Sequence, residues 1–390
     1  MVAPPEPLNV ILITIDSLRA DMPWVGYERP IAPRLSEFAK TTVSYKNAYS
    51  LSSSTSKSVP ALLAGRYPSE LERTGVFFTR YTDKNTFMCE HLGAANIPCV
   101  AGHAHAYLGK GVANFDQGFQ AWKLVPGITF DPQTDPHVTS HKLTPLAIEM
   151  LSDSVLTGKQ FFAWFHFMDP HDEYKSHTEA PRWGSKLRDL YDQEVFYTDL
   201  WVGKLLDYID QQPWATKTAI LLTADHGEAF GEHSLSRHAF ELYDVLVHVP
   251  WMFRIPGVAP RNIETARSHI DLVPTVLDLM GQTTMQGLRG QSLRAELYGG
   301  LGSERDVICD LPKDDFNKRR RTFLRNGVKL IAFEEDERFE LYRLMDDPGE
   351  LKNLARAEPE TLKTMIAAYK EANHNIAEGT VVGGIRKREK

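Results

Sequence analysis

Asn9-Val-Ile-Leu-Ile-Thr-Ile15, followed by Asp16, is an unbroken and largely β-branched run with a carboxylate at its end. It reads as a strand buried on both faces, as in a parallel sheet. Working outward, Pro33–Ala39 and Ser58–Ala64 look like short helices, and Ile97–Ala101 is a further short apolar run. Gln160–Met168 (QFFAWFHFM) reads as a central strand that delivers polar residues at its C-terminal end. Leu187–Gln211 places Leu190, Val195, Tyr197, Leu200, Leu205 and Ile209 at helical spacing and predicts an amphipathic helix. Thr218–Ala224 (TAILLTA) is a strand feeding Asp225-His226-Gly227, and Val249–Ile255 is another. Asp271–Met280, with Pro274 in its first turn, is a helix stopped by Gly281.

Strands alternating with helices predict an α/β domain with a central, mostly parallel sheet flanked by helices. In such folds the functional site lies outside the carboxyl ends of the strands. Asp16, His171 and Asp225 all follow predicted strands, so they are expected to converge. After about residue 300 the texture changes. Lys318–Arg321 is basic, Phe323–Phe333 and Glu340–Leu344 read as strands joined by the acidic turn Glu334–Arg338, and Pro359–Ala372 is a terminal helix. The Gly-rich, basic last dozen or so residues are expected to fray. The division expected is a catalytic domain over residues 1–300 and a small subdomain over 301–390.

Composition narrows the function. The 390 residues are 42% hydrophobic and 24% charged, an ordinary globular balance with a net charge of −7. With no basic surplus, nucleic-acid binding as the main role is disfavoured. Three cysteines without a CxxC pair argue against a disulfide framework and against a zinc-thiolate site. No run approaches the roughly eighteen apolar residues of a membrane span, and no signal peptide is recognised. The start, Met1-Val-Ala-Pro-Pro-Glu-Pro, enters a buried strand abruptly. That suits a piece of a longer protein whose anchor or signal lies outside this chain. The compartment is unknown, with a periplasmic or extracytoplasmic side favoured.

Four groups of residues carry chemistry. Asp16, at a strand tip, either caps the next helix or binds a cation. Ser52-Ser-Ser-Thr55-Ser-Lys57-Ser58-Val-Pro60 is a hydroxyl cluster entering a helix. It is either an N-cap or a nucleophile placed where exposed N–H groups and the helix dipole favour an alkoxide. Thr223-Ala-Asp225-His226-Gly227-Glu228 is either a turn or a mixed O and N ligand set, better suited to Zn²⁺ or Mn²⁺ than to Mg²⁺. His103, His105, His166, His171, His233 and His238 lie in three loops that should share one rim.

The order of these segments resembles the sulfatase family of the alkaline-phosphatase superfamily over nearly the whole chain. A strand-Asp is followed by a nucleophile motif running into Leu62-Leu-Ala-Gly65-Arg-Tyr-Pro68, then Met168-Asp-Pro-His171, Asp225-His-Gly-Glu228 and Val249-Pro250. Asp271-Leu-Val-Pro-Thr275 and Glu340-Leu-Tyr through Asp347-Pro-Gly-Glu-Leu-Lys-Asn353 close the series. The ending resembles that family's C-terminal subdomain, an antiparallel sheet with one helix. Sulfatases oxidise a Cys or Ser to formylglycine within a Cys/Ser-x-Pro/Ala-x-Arg signature. Counting back from Leu62 puts Thr55 at that position, with Lys57 and Val59 where the signature has Pro/Ala and Arg. Threonine cannot give the aldehyde. Thr-Ser-Lys-Ser-Val-Pro instead resembles the threonine motif of phosphoethanolamine and phosphoglycerol transferases, as do Ser17 for a second Asp and His226 for Asn.

The resemblance implies one divalent ion held by Asp16, Thr55, Asp225 and His226, with Zn²⁺ or Mn²⁺ favoured and Ca²⁺ allowed. It makes Thr55 the nucleophile and His238 the acid for the leaving group. His103, His105, His171 and Lys57 would contact an anionic ester, whether a small molecule, a glycan or a lipid headgroup. Phosphate esters, mono- or di-, are expected ahead of sulfuric esters. A non-catalytic binder of anionic glycans or headgroups is the remaining reading.

Overall fold

The computed structural model describes residues 6–129 and 136–383. Eight strands build the main sheet: β1 (Asn9–Ile15), β2 (Val43–Tyr45), β3 (Cys99–His103), β4 (Ala121–Leu124), β5 (Phe162–Phe167), β6 (Thr218–Ala224), β7 (Trp251–Arg254) and β8 (Arg261–Ile263). Their order is β8-β2-β7-β6-β1-β5-β3-β4, and β6, β1, β5, β3 and β4 run parallel. β7 is antiparallel to both of its neighbours, so the sheet is mixed at that side.

The apolar run of β1 is divided between the two faces. Val10 and Leu12 enter one core, and Ile11, Ile13 and Ile15 enter the other. β6 does the same with Ala219 and Leu221 against Ile220, Leu222 and Ala224. Period-two alternation turns a continuous apolar strand into the middle layer of three. Helices α1 (Pro33–Ala39), α2 (Thr55–Ala64), α3 (Met88–Ala94), α4 (Ser140–Leu151), α5 (Leu187–Asp210) and α6 (Leu272–Leu279) cover it. α2, α3 and α6 close the first core through Leu62, Leu92 and Val276. α1, α4 and α5 close the second through Leu35, Leu143 and Val202. Gly65 ends α2 in the left-handed region at φ 63°, with its backbone close against Val273 and Leu288.

Beyond residue 306, β9 (Val307–Leu311), β10 (Arg320–Arg325), β11 (Val328–Phe333) and β12 (Arg338–Arg343) form a sequential antiparallel sheet. Helix α7 (Pro359–His374) packs on it through Met365 and Tyr369. A single strand over Phe323–Phe333 was expected; the structure folds this stretch into a hairpin. Asn326 and Gly327, at φ 50° and 74°, make the two-residue turn between β10 and β11. The sheet is tied to the rest by buried charge. Lys329 bonds Asp244 (2.6 Å) and Glu350 (2.8 Å), and Asp310 accepts the Ser69 N–H (2.7 Å).

Other boundaries move for local reasons. The predicted helix Ser58–Ala64 begins at Thr55, because Ser54 is already the extended N-cap residue. The apolar run Ile97–Ala101 becomes a strand only from Cys99, and that strand continues to His103 by pairing with β5. Cys89 and Cys99 are joined as a disulfide, against expectation, because α3 folds back beside β3 and sets their Cα atoms 5.9 Å apart. Val381–Val382 pairs with Arg73–Thr74 rather than fraying, while residues 384–390 lie outside the described residues. No helix among the described residues is long and apolar enough to cross a membrane.

Candidate active site

The parallel strands deliver their C-terminal residues to one edge. Asp16 follows β1, Asp225 and His226 follow β6, and Thr55 is the first residue of α2. All four are buried. The Thr55 hydroxyl lies 3.1 Å from Asp16 Oδ2 and 3.0 Å from His226 Nε2. Ser17 turns the chain after Asp16 at φ 57°, a left-handed conformation unusual for a residue with a side chain, and its hydroxyl donates to Asp16 Oδ1 (3.0 Å).

Asp16, Asp225 and His226 each offer a ligand atom, and these atoms lie within 4.8 Å of one another. Burial opposes ionisation of Asp16, but the His166 hydrogen bond and the nearby histidines hold its carboxyl well below the usual range. Burial pushes the Asp225 carboxyl up, and the charge of Asp16 adds to that. Asp225 Oδ2 has no hydrogen-bond partner although it is buried. An orphaned carboxylate oxygen beside a second carboxylate calls for a cation. His226 meets the same requirement. Its Nδ1 faces the Gly227 carbonyl at 2.9 Å, which fixes the N–H there and presents Nε2 as the donor atom. The residues present fit a divalent ion.

His166 stands behind Asp16. Its Nδ1 is 2.7 Å from Thr14 Oγ1, its Nε2 is 3.2 Å from Asp16 Oδ2, and Trp164 Nε1 donates to the same Thr14 hydroxyl (2.8 Å). The register of β1 against β5, which pairs Thr14 with His166, creates this contact. Sequence reading grouped His166 with the rim histidines, and only strand pairing reveals its role behind the ligand.

A row of imidazoles borders the site. Ring centroids are 4.3 Å apart for His226 and His238, 4.9 Å for His238 and His171, and 6.1 Å for His171 and His105. His238 Nδ1 lies 3.2 Å from both carboxylate oxygens of Glu228, which is fully buried. Burial pushes the His238 pKa down and Glu228 opposes it. Arg237 and Ala239, at φ 70° and 80°, hold His238 in a strained turn, and the Ala239 N–H donates to the Ser53 carbonyl (2.7 Å). Burial pushes His103 and His105 each to about 3, so both are neutral. Tyr107 N–H donates to His105 Nδ1 (3.2 Å), leaving the ring proton on Nε2. Both ring nitrogens of His103 are buried without a partner.

Two expectations need correcting. His233 does not share the rim: its ring stacks on Tyr243, with centroids 3.7 Å apart, because the chain reverses at Gly231 and turns it away. Lys57 does not face a substrate. Its N–H groups are taken up within the protein: the buried ammonium bonds the carbonyls of Val76 (3.4 Å) and Phe77 (2.9 Å), the Thr79 hydroxyl, and Asp314 (3.3 Å). Burial lowers its pKa to about 8. Glu228 was visible in the Asp-His-Gly-Glu motif, but its function as the partner of His238 depends on a turn that sequence alone does not specify.

Comparison with known proteins identifies the family. The family model described as Sulfatase matches residues 8–282, and that of the N-sulphoglucosamine sulphohydrolase C-terminal region matches residues 231–375. Arylsulfatase K of Mus musculus is 29% identical over 210 residues, covering 50% of this chain and 38% of that protein. Iduronate 2-sulfatase of Homo sapiens is 33% identical over 132 residues, covering 33% of this chain and 24% of that protein. The chain thus spans well under half the length of these curated relatives. Among solved structures, Ps i-CgsB in complex with k-i-k-neocarrahexaose superposes with TM-score 0.79 at 19% identity, covering 97% of this chain and 95% of that one. The phosphonate monoester hydrolase of Agrobacterium radiobacter gives 0.75 at 17% identity, with 94% and 95% covered. At these identities the likeness is one of fold.

Proposed function

Since the chain belongs to the sulfatase family, we propose that it is a metal-dependent ester hydrolase or transferase with Thr55 as nucleophile. The observation that carries this reading is the Thr55 hydroxyl held between Asp16 Oδ2 and His226 Nε2, at 3.1 Å and 3.0 Å. Asp16, Asp225, His226 and the Thr55 oxygen would hold one divalent ion, Zn²⁺ or Mn²⁺ ahead of Ca²⁺. That ion would supply Lewis-acid activation of the hydroxyl and charge neutralisation on the ester. The chain's own groups do the rest. Thr55 Oγ1 passes its proton along the 3.1 Å hydrogen bond to Asp16 Oδ2 and attacks the central atom of the ester in line, with the N–H groups at the start of α2 facing the developing charge. His105, neutral and carrying its proton on Nε2, and His103, neutral with unpartnered nitrogens, serve an anion as N–H donors. His171 borders the same space. As the bond to the leaving oxygen breaks, His238 delivers the proton it needs, oriented by Glu228. Water or an acceptor alcohol then cleaves the ester formed on Thr55.

A phosphate or phosphonate ester is favoured because an unmodified alkoxide suits a phosphoenzyme. A sulfuric ester is the second reading, favoured by the names of the curated relatives. The alcohol portion is a small molecule, a glycan or a lipid headgroup, and one solved structure of this fold holds its substrate D-glucosamine-2-N,6-O-disulfate. Matched nitrophenyl sulfate, phosphate monoester, phosphate diester and phosphonate, assayed with Zn²⁺, Mn²⁺ and Ca²⁺, separate these readings. Intact-mass analysis during turnover should show a phosphoryl or substituted-phosphoryl adduct on the peptide containing Thr55. Thr55→Ala should lose nearly all turnover and Thr55→Ser should retain part of it. An active Thr55→Ala with a dead Ser54→Ala or Ser56→Ala would move the nucleophile and overturn the assignment.

A further inference from the structure

A group of phenylalanines that the chemistry above does not use is tied to the residues that directly follow Thr55. Phe77 touches Phe78 (ring centroids 5.2 Å), Phe316 (5.8 Å) and Phe240 (6.1 Å, stacked). Phe240 is 46% and Phe316 58% exposed, high for rings of this size. The group is continuous with the histidine row, because Phe78 meets Tyr107 at 5.4 Å and Tyr107 meets His105 at 5.9 Å. It is also bolted to the catalytic elements. The Phe77 carbonyl accepts from Ser56 Oγ and Lys57 Nζ, each at 2.9 Å, and both donors directly follow Thr55. The Phe77 N–H donates to Asp315 Oδ1 (2.8 Å), beside Phe316, and Lys57 bonds Asp314. Phe240 stands two residues beyond His238.

We propose that Phe77, Phe240 and Phe316 form the leaving-group subsite and select an ester whose alcohol portion is a flat apolar ring, above all an aryl group. The inference rests on the reading of Thr55 and the histidines as the anion-binding centre. His238 is the residue proposed to meet the leaving oxygen, and Phe240, two residues on, stacks on Phe77, which ties the rings by chain and by contact to the residue that faces the alcohol portion. Exposed apolar surface beside a polar pocket marks a ligand contact. Phenylalanine has no hydrogen-bonding group, so this wall gains from burying an aromatic face and gains nothing from the hydroxyls of a sugar. Lys57 acts here as a positioning residue that fixes the Phe77 segment to α2.

The test compares phenylphosphonate, methylphosphonate and glucose 6-phosphate by titration calorimetry on the full-length Zn²⁺-loaded protein. Phenyl sulfate and methyl sulfate run in parallel. Binding is the readout, so turnover is not required. Burial of one ring face should favour phenyl over methyl by about tenfold within whichever anion series binds. Phe240→Ala and Phe316→Ala, both at exposed positions, should each reduce that ratio about threefold and leave methyl binding unchanged. Because the ratio is taken within one anion, binding of sulfates instead of phosphonates would overturn the phosphoester preference while leaving this proposal intact. A phenyl-to-methyl ratio near one, a ratio unchanged in both variants, tighter binding of glucose 6-phosphate than of phenylphosphonate, or no binding in either series would overturn it.

Discussion

His238 and Glu228 show how single residues divide the labour. Glu228 is buried, and the charge and hydrogen bond of His238 overcome burial to hold its pKa below the usual range. It therefore takes the Nδ1–H of His238 and leaves Nε2 for the proton transfer to the leaving oxygen that we propose. Protonation matters only when the departing alkoxide is a poor leaving group. His238→Ala should accordingly slow unactivated alkyl or phenyl esters by ~10²–10⁴-fold and nitrophenyl esters far less. Comparison of kcat/KM on the two kinds of substrate checks this, and equal losses would assign His238 to binding alone. Glu228→Gln should reproduce the selectivity in weaker form.

At the scale of elements, the site depends on helices whose starts are held by side chains from elsewhere. Asp199 of α5 accepts the N–H groups of Arg34 (2.9 Å) and Leu35 (2.7 Å) in the first turn of α1. Those donors have no partner within their own helix. Burial nevertheless dominates and pushes the Asp199 carboxyl up to about 7, against an ordinary value of 3.8. A carboxyl raised on folding favours the folded state most below pH ~4, and this contribution is lost as pH rises through about 7. Asp199→Asn removes the charge and one good acceptor. It should destabilise the protein at pH 5 by about 1–2 kcal/mol, with the deficit shrinking or reversing by pH 8. Urea midpoints of both proteins across that range measure it, and parallel pH curves would refute the assignment.

For the whole molecule, ion binding and folding are one equilibrium. Asp16, Thr55, Asp225 and His226 come from separate parts of the chain and meet only in the folded state, so an ion that binds them stabilises that state. At a free concentration one hundred times Kd the gain is about 2.7 kcal/mol. Zn²⁺ or Mn²⁺ should raise the melting temperature of chelator-treated protein, with about one equivalent bound by elemental analysis. Asp225→Ala should abolish the rise. Two equivalents, or a shift that survives this substitution, would show that the ligand set is drawn wrongly.

Much of this was legible along the chain. The continuous apolar runs of β1 and β6 point to strands covered on both faces, because seven residues rich in β-branched side chains are too short for a buried helix and suit a pleated layer. Polar residues directly after those strands identify the functional edge, since a parallel sheet brings like ends together. The ordered motifs from Asp16 to Asn353 pointed to the family. Asn326-Gly327 was a readable hairpin signal that the apolar run around it obscured. Other features had no local signature. Lys57 differs from a substrate-facing lysine only in where its ammonium ends, and that is set by packing against residues 76–79 and Asp314. His166 gains its place behind Asp16 through strand register, Cys89 meets Cys99 through the return of α3 beside β3, and His233 leaves the rim through a turn. The phenylalanine wall gathers positions 77, 240 and 316 from segments far apart in sequence. Periodicity and motif act over a few residues, so they determine elements and their polar ends. The direction of a side chain within the assembled site depends on contacts between distant segments, which only the tertiary structure decides.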